Sequence, residues 1–293
     1  MTRAAVDKNF CLDLHLTSKL LDPERCLMLA PLTDEIRSNA QTCRVGMLAT
    51  MVDVAGSDPV LAAWNPDWTA TQDLSVYAAG SLTEGPIVVD ARLLRRGKKI
   101  IFVEVDIYDG HGVTDIDELK THIDGASAGN PGRLTLAAKS LVTFTRIPRT
   151  GATGVDTYDP NKWVGSIRKR SADQHNTDLL NDRIGLKVCD RGAGVVEVAN
   201  SPYVSNSIGT INGGVQAFTL EAAAEIMRPG MTATDIQIHF LSQLKVGPSR
   251  TRGTVIRDAR GHSVVQVQLL DAGADDKLIA TATVTLQRLL RRY

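Results

Sequence analysis

The sequence predicts an α+β fold of two tandem repeats, each a long apolar helix wrapped by the antiparallel strands that follow it. Three observations predict it. First, "CRVGMLATMVDVAG" and "INGGVQAFTLEAAA" each place a glycine (Gly46, Gly214) seven positions before a lone carboxylate (Asp53, Glu221) in an uncharged apolar run. Second, "TATQDLSVYAAGSLTEGP" matches "TATDIQIHFLSQLKVGP": Asp73, Leu82, Gly85 and Pro86 stand 162 positions before Asp235, Leu244, Gly247 and Pro248. The two helices are 168 positions apart, so the first half carries six extra residues between helix and strand. Third, each half continues into strand-like sequence to its end.

The elements follow in order. A leading strand precedes each helix. After the matched strand, "PIVVDARLLRRGKKIIFVEVDIYD" reads as a hairpin, two β-rich runs joined by a glycine-containing basic turn. "SRTRGTVIRDARGHSVVQVQLLDA" is its counterpart. Each half closes on a further strand, "LTLAAKSLVTFTRI" and "IATATVTLQRL". In the second of these, Ala280, Ala282, Val284 and Leu286 alternate with Thr281, Thr283 and Thr285, the period of a strand. Two segments break the symmetry. Residues 110–133 form a polar insertion, glycine-rich at its end. Residues 146–177 read as a linker rich in proline, glycine and charge, with a short helix at its end. The predicted organisation is therefore an N-terminal repeat over 1–145, a linker over 146–177 and a C-terminal repeat over 178–293.

Composition bounds the function. A chain of 293 residues with 43% hydrophobic content can bury a sizeable core. Its formal net charge of zero argues against nucleic acid or an anionic membrane surface as the main partner. No run of about 18 apolar residues is evident, so no membrane span is expected. The N-terminus, "MTRAAVDKNFCLDLHL", has charges where a signal peptide would be apolar. Cys11, Cys26, Cys43 and Cys189 show neither CxxC pairing nor clustering with histidine, and read as reduced cytoplasmic thiols without a metal. The basic runs Arg168–Arg170 and "RRGKK" (Arg95, Arg96, Lys98, Lys99) read as a solvated face and a hairpin turn.

The chemistry concentrates where the glycines open the second helix. A helix N-terminus presents free N–H groups and the positive end of a dipole. Glycine lets a ligand approach that backbone closely, making an oxyanion site. A carboxylate in an apolar helix has a raised pKa tendency and is a candidate base or nucleophile. Two acids at one repeat position strengthen that reading, whereas Glu225, one turn on, reads as a surface residue at the helix end. Gly213 and Glu221 lie about 12 Å apart along their helix. One carbonyl cannot touch both, so the N–H groups of one repeat must work with the acid of the other.

These residues carry a resemblance. "NSIGTINGG…E" resembles the asparagine–glycine–HGG–acid signature of hotdog-fold acyl-CoA thioesterases, of the phenylacetyl-CoA and hydroxybenzoyl-CoA thioesterase type. The resemblance spans about residues 30–108 and 180–288 and implies a double hotdog, an internal pseudo-dimer. It implies that Asn206 orients water or substrate. The Gly213 N–H, with that of Gly214, would polarise the thioester carbonyl, and Asp53 and Glu221 take the carboxylate position of each half. Thr71 falls where some members place a hydroxyl, and its second-half equivalent is Ala233. Asn212 stands at the family's histidine, and Arg44-Val45-Gly46 at the first half's HGG. The two sites are thus unequal. The expected active one combines Asp53 with Asn206, Asn212, Gly213 and Gly214. The other pairs Glu221 with the altered turn, where Arg44 is a candidate to hold a substrate anion.

The expected function is hydrolysis of an acyl-CoA-type thioester with no cofactor, the Arg95–Lys99 turn being a candidate for the CoA phosphates. The acyl specificity would come from pocket shape, to which the 110–133 insertion contributes. A homo-oligomer is expected, joined through exposed strand edges. Loss of the histidine keeps a non-catalytic acyl-CoA-binding or regulatory protein as the alternative. A hotdog hydratase would need a His–Asp pair near a helix start, which His15, His111, His122, His175, His239 and His262 do not supply.

Overall fold

The computed structural model describes residues 9–127, 132–149, 158–172, 176–206 and 208–288. The first eight residues, His175 and parts of the insertion and linker lie outside that description. The first half runs β1 (Leu16–Asp22), β2 (Arg25–Ala30), α1 (Val45–Trp64), β3 (Trp68–Ala78), β4 (Ile87–Arg96), β5 (Ile100–Asp109), α2 (Ile116–Ser127) and β6 (Thr135–Ile147). Then come β7 (Ile167–Arg170), a single turn α3 (Leu180–Arg183), β8 (Lys187–Asp190), β9 (Val195–Val198) and α4 (Gly213–Met227). The chain finishes with β10 (Thr232–Phe240), β11 (Ser249–Ala259), β12 (His262–Asp271) and β13 (Lys277–Gln287).

Among the described residues, thirteen strands form one antiparallel sheet, ordered β7-β1-β2-β4-β5-β6-β3-β10-β13-β12-β11-β9-β8. The two expected hairpins are β4–β5 and β11–β12. The halves meet where β3 pairs with β10, Leu74 opposite Ile238 and Asp73 opposite His239. Outward from that joint the order repeats. β6, β5, β4 and β2 on one side answer β13, β12, β11 and β9 on the other. Irregularities in register recur 162 residues apart, at Thr71/Asp73 and Ala233/Asp235 and at Leu93/Arg95 and Val255/Arg257. The same turn is held in each half by one buried aspartate. Asp109 accepts from the N–H groups of Thr83, Glu84 and Gly85, and Asp271 from those of Lys245, Val246 and Gly247.

Helices α1 and α4 are apolar on nearly every side, the pattern of a helix enclosed by protein. They pack on the sheet and against each other within one continuous core. The glycines set how close they come. A Cβ on Gly46 would lie 3.1 Å from the Phe218 Cα, and one on Gly214 would lie 2.6 Å from the Thr50 Cγ2. Side chains there would force the helices apart. By length and composition α1 could cross a membrane, which departs from the expectation that no segment would. It is instead a core helix, with 78% of its most apolar window buried.

Both asymmetric segments differ from expectation. The insertion contains α2, whose Ile116, Leu119 and Ile123 cover Leu27, Leu29 and Val88 on the outer face of β2 and β4. The expected linker supplies β7, an edge strand paired with β1. Its Arg168 and Arg170 are not a solvated face. They lie 3.8 and 3.6 Å from Asp58 of α1, which also accepts a hydrogen bond from the Tyr158 hydroxyl at 3.0 Å.

Candidate active site

The site is built at the N-terminus of α4. Asn212 caps this helix, its Oδ1 accepting from the Gly214 N–H at 2.8 Å, while its Nδ2 donates to the Cys11 Sγ at 3.4 Å. The Gly214 N–H is therefore already engaged. That of Gly213 has no acceptor among the described residues. Asn206 shapes the loop before the cap: its Oδ1 accepts from the N–H groups of Ile208 and Thr210, at 3.1 and 3.2 Å.

Asp53 arrives from α1. A Cβ on Gly213 would lie 2.9 Å from Asp53 Oδ2, so the carboxylate stands directly against the start of α4. Its other oxygen, Oδ1, accepts a short hydrogen bond from the Thr71 hydroxyl. The bulge between Thr71 and Asp73 in β3 interrupts the strand alternation beside Thr71. Burial pushes the Asp53 carboxyl above its ordinary range, and the Thr71 hydroxyl pulls in the opposite direction.

A cavity of about 360 Å³ lies over these groups. Asp53, Thr71, Asn206, Asn212 and Gly213 line it, with Leu61, Trp68, Phe144 and Phe240 as apolar walls. Gln216, one turn into α4, also lines it. Sequence reasoning passed over Gln216, although its repeat counterpart is Leu48, and a polar residue replacing leucine on a buried helix was the available signal. The insertion, expected to shape the pocket, contributes none of its described residues to it.

The pseudo-equivalent position is closed. Glu221 has no exposed surface. Its Oε2 lies 3.0 Å from Arg44 Nε and 2.9 Å from Nη2, and its Oε1 accepts from the Val45 N–H at 3.0 Å. Burial pushes the Glu221 carboxyl up, while Arg44 and the N–H groups of Val45 and Gly46 pull it down. Arg44 is spent further on Asn181 Oδ1 at 2.8 Å and on the face of Phe218. The expectation that Glu221 and Arg44 meet substrate therefore fails on burial, for the two pair with each other beneath the surface. A smaller cavity of about 210 Å³ persists nearby, lined by Val45, Leu48 and Ala233 but by neither charged residue.

Among the described residues no three His, Cys, Asp or Glu side chains gather to hold a metal ion. The four cysteines are unpaired.

Comparison with known proteins agrees with this architecture. Residues 202–287 match the family model described as the acyl-CoA thioesterase N-terminal domain. A Saccharolobus solfataricus protein named "Putative esterase" is 23% identical over 92 residues, 31% of this chain and 66% of that protein's length. Among solved structures, the chain resembles a tesB protein of Mycobacterium avium subs paratuberculosis with TM-score 0.57, at 10% identity over 95% of this chain and 97% of the other. It resembles a hotdog-fold protein of unknown function from Alicyclobacillus acidocaldarius with TM-score 0.53, at 11% identity over 98% of each chain. A 12:0-ACP thioesterase from Umbellularia californica gives TM-score 0.52, at 9% identity over 90% and 94%. The family match and the esterase relative support a thioester hydrolase, and the solved structures show the fold. Residues 202–287 thus carry the match to the acyl-CoA thioesterase family model, and the solved structures share the fold along nearly the whole chain.

Proposed function

We propose that the chain is a double hotdog that hydrolyses acyl thioesters of the CoA type at one site per chain, between its halves. The observation carrying this reading is the approach of Asp53 Oδ2 to Gly213, set against the sealing of Glu221 by Arg44. The thioester carbonyl oxygen would accept the Gly213 N–H at the positive end of α4, where charge developing on oxygen is stabilised. Asp53 would take a proton from water as the water oxygen bonds to the carbonyl carbon. The tetrahedral intermediate then expels the thiolate, which recovers a proton, and the carboxylic acid leaves. Attack by Asp53 itself would give a mixed anhydride that water opens to the same products. The raised pKa of Asp53 suits a group that must accept a proton near neutral pH. The boundary between the repeats would fall within the 146–177 linker, and a homo-oligomer would form through the outer strands β7 and β8.

One observation favours a binding protein instead. Asn212 is engaged at both ends within the chain, as helix cap and as donor to Cys11, so the residue at the family's histidine position is held by the fold rather than free to turn to substrate. The test is thiol release from a panel of acyl-CoAs by wild type, Asp53→Asn and Glu221→Gln. The reading requires release by wild type, loss of at least a hundredfold in Asp53→Asn and retained turnover in folded Glu221→Gln. Binding without release by any form would favour the alternative.

A further inference from the structure

Gln216 is buried at 6% exposure, one turn from the helix start at which Asp53 and Gly213 meet. Its Nε2 donates to the Ile211 carbonyl at 3.2 Å, and since a carbonyl oxygen can only accept, that contact fixes which end of the amide is which. The remaining end, Oε1, has no hydrogen-bond partner. An unpaired buried acceptor costs about 1–3 kcal/mol, so its presence needs a reason. Packing is not that reason. The same position of the other repeat is Leu48, also buried, on a helix of the same kind. Leu48 lines the smaller cavity at the start of α1, which no carboxylate reaches, whereas Gln216 lines the larger cavity that holds Asp53.

We propose that Gln216 is a specificity-determining residue whose Oε1 accepts a hydrogen bond from a donor on the bound thioester, about one helical turn from the reacting carbonyl. The inference rests on the thioester reading above and deepens it. Side chains one turn apart are about 5–6 Å from each other. Two kinds of donor sit at that reach from a thioester carbonyl: a hydroxyl on the acyl chain, or the first amide N–H of the thiol arm beyond sulfur. Both offer the same chemistry to Oε1. A ligand lacking the donor would leave the acceptor unpaired, so discrimination comes from the penalty as well as from the bond.

Binding of inert analogues separates this inference from catalysis. Ketones with a methylene between sulfur and carbonyl cannot be hydrolysed. Two matched pairs are measured by calorimetry: acyl chains with and without a hydroxyl two carbons from the carbonyl, and CoA arms with the first amide free or N-methylated. Wild type should prefer the donor-bearing member of one pair by about tenfold, the equivalent of about 1.4 kcal/mol. Gln216→Leu, which copies the other repeat, and the near-isosteric Gln216→Met should abolish that preference and leave the other pair's ratio unchanged. General damage would weaken both members of a pair alike and keep their ratio. Which pair responds tells whether the donor is acyl or arm. The inference is overturned if wild type shows no preference in either pair, or if both variants keep it. If no analogue binds folded wild type, the thioester reading falls and this inference falls with it.

Discussion

Arg44 and Glu221 close on each other across the contact of α1 and α4, with two guanidinium nitrogens 2.9 and 3.0 Å from one carboxylate oxygen. At the same places in the other repeat stand Asn212 and Asp53, and there the carboxylate opens onto a cavity. A longer acid and a longer cation have turned one of two equivalent helix ends into a structural lock. Such a pair is costly to break from one side, because the surviving charge stays buried. Arg44→Met should therefore lose about 3–5 kcal/mol of stability, while Arg44→Met with Glu221→Leu should regain most of it. Urea titrations of the three proteins decide it. A single variant within about 1 kcal/mol of wild type would show that the pair is not a lock.

Thr71 has a kinetic counterpart to that argument. Its hydroxyl stabilises the ionised form of Asp53 against a burial effect that opposes it. Thr71→Val keeps the shape and removes the donor, so the Asp53 carboxyl should move further up. If Asp53 must be ionised to act, the acid limb of the rate profile should shift to higher pH and the basic limb should stay. An unmoved acid limb would separate Asp53 ionisation from the rate.

The two-repeat frame was legible because it is written in spacing. Gly46 to Asp53 and Gly214 to Glu221, with the strand match after each, survive as packed helices and equivalent strands. The expected pairing of one helix start with the other helix's acid rested on helix length together with the sites the resemblance implies, and Asp53 does stand against Gly213. What spacing could not show was the state of each site, since Arg44 and Asn212 occupy one repeat position and only the fold reveals that Arg44 reaches Glu221. The insertion was misread although its signals were present. Asp115 caps Asp117 and Glu118, and Ile116, Leu119 and Ile123 follow at helical spacing. Arg168 and Arg170 were misread because the buried Asp58 they meet is over a hundred residues away.

Glu225 was expected on the surface, yet its Oε1 accepts the Ala233 N–H at 3.1 Å beside the locked pair. Burial, and then Glu221 nearby, push its carboxyl from 4.5 to about 7, against the pull of Arg44. A folded-state value above the unfolded one gives stability that is complete below pH 4.5 and lost as pH rises through about 7. Glu225→Gln removes this dependence. Its melting temperature relative to wild type should rise between pH 5 and pH 8, and a difference flat across that window would place the ionisation elsewhere.

The glycine at the start of α4 has a packing role separable from chemistry. A Cβ on Gly214 would meet the Thr50 hydroxyl and lie 2.6 Å from its Cγ2 and 2.9 Å from its Cβ. Thr50 cannot swing away freely, because its hydroxyl donates to the Gly46 carbonyl at 2.7 Å and it is fully buried. Gly214→Ala should then cost about 1–3 kcal/mol, the usual penalty of overpacking, despite alanine's better helix propensity. Thr50→Ala removes the two closest atoms and leaves the Cβ, so the double variant should recover part of the loss. A double-mutant cycle by chemical denaturation should give a coupling of about 0.5 kcal/mol or more. Additive effects would mean that the helices settle apart without cost, and the closeness of α1 and α4 would then not depend on Gly214.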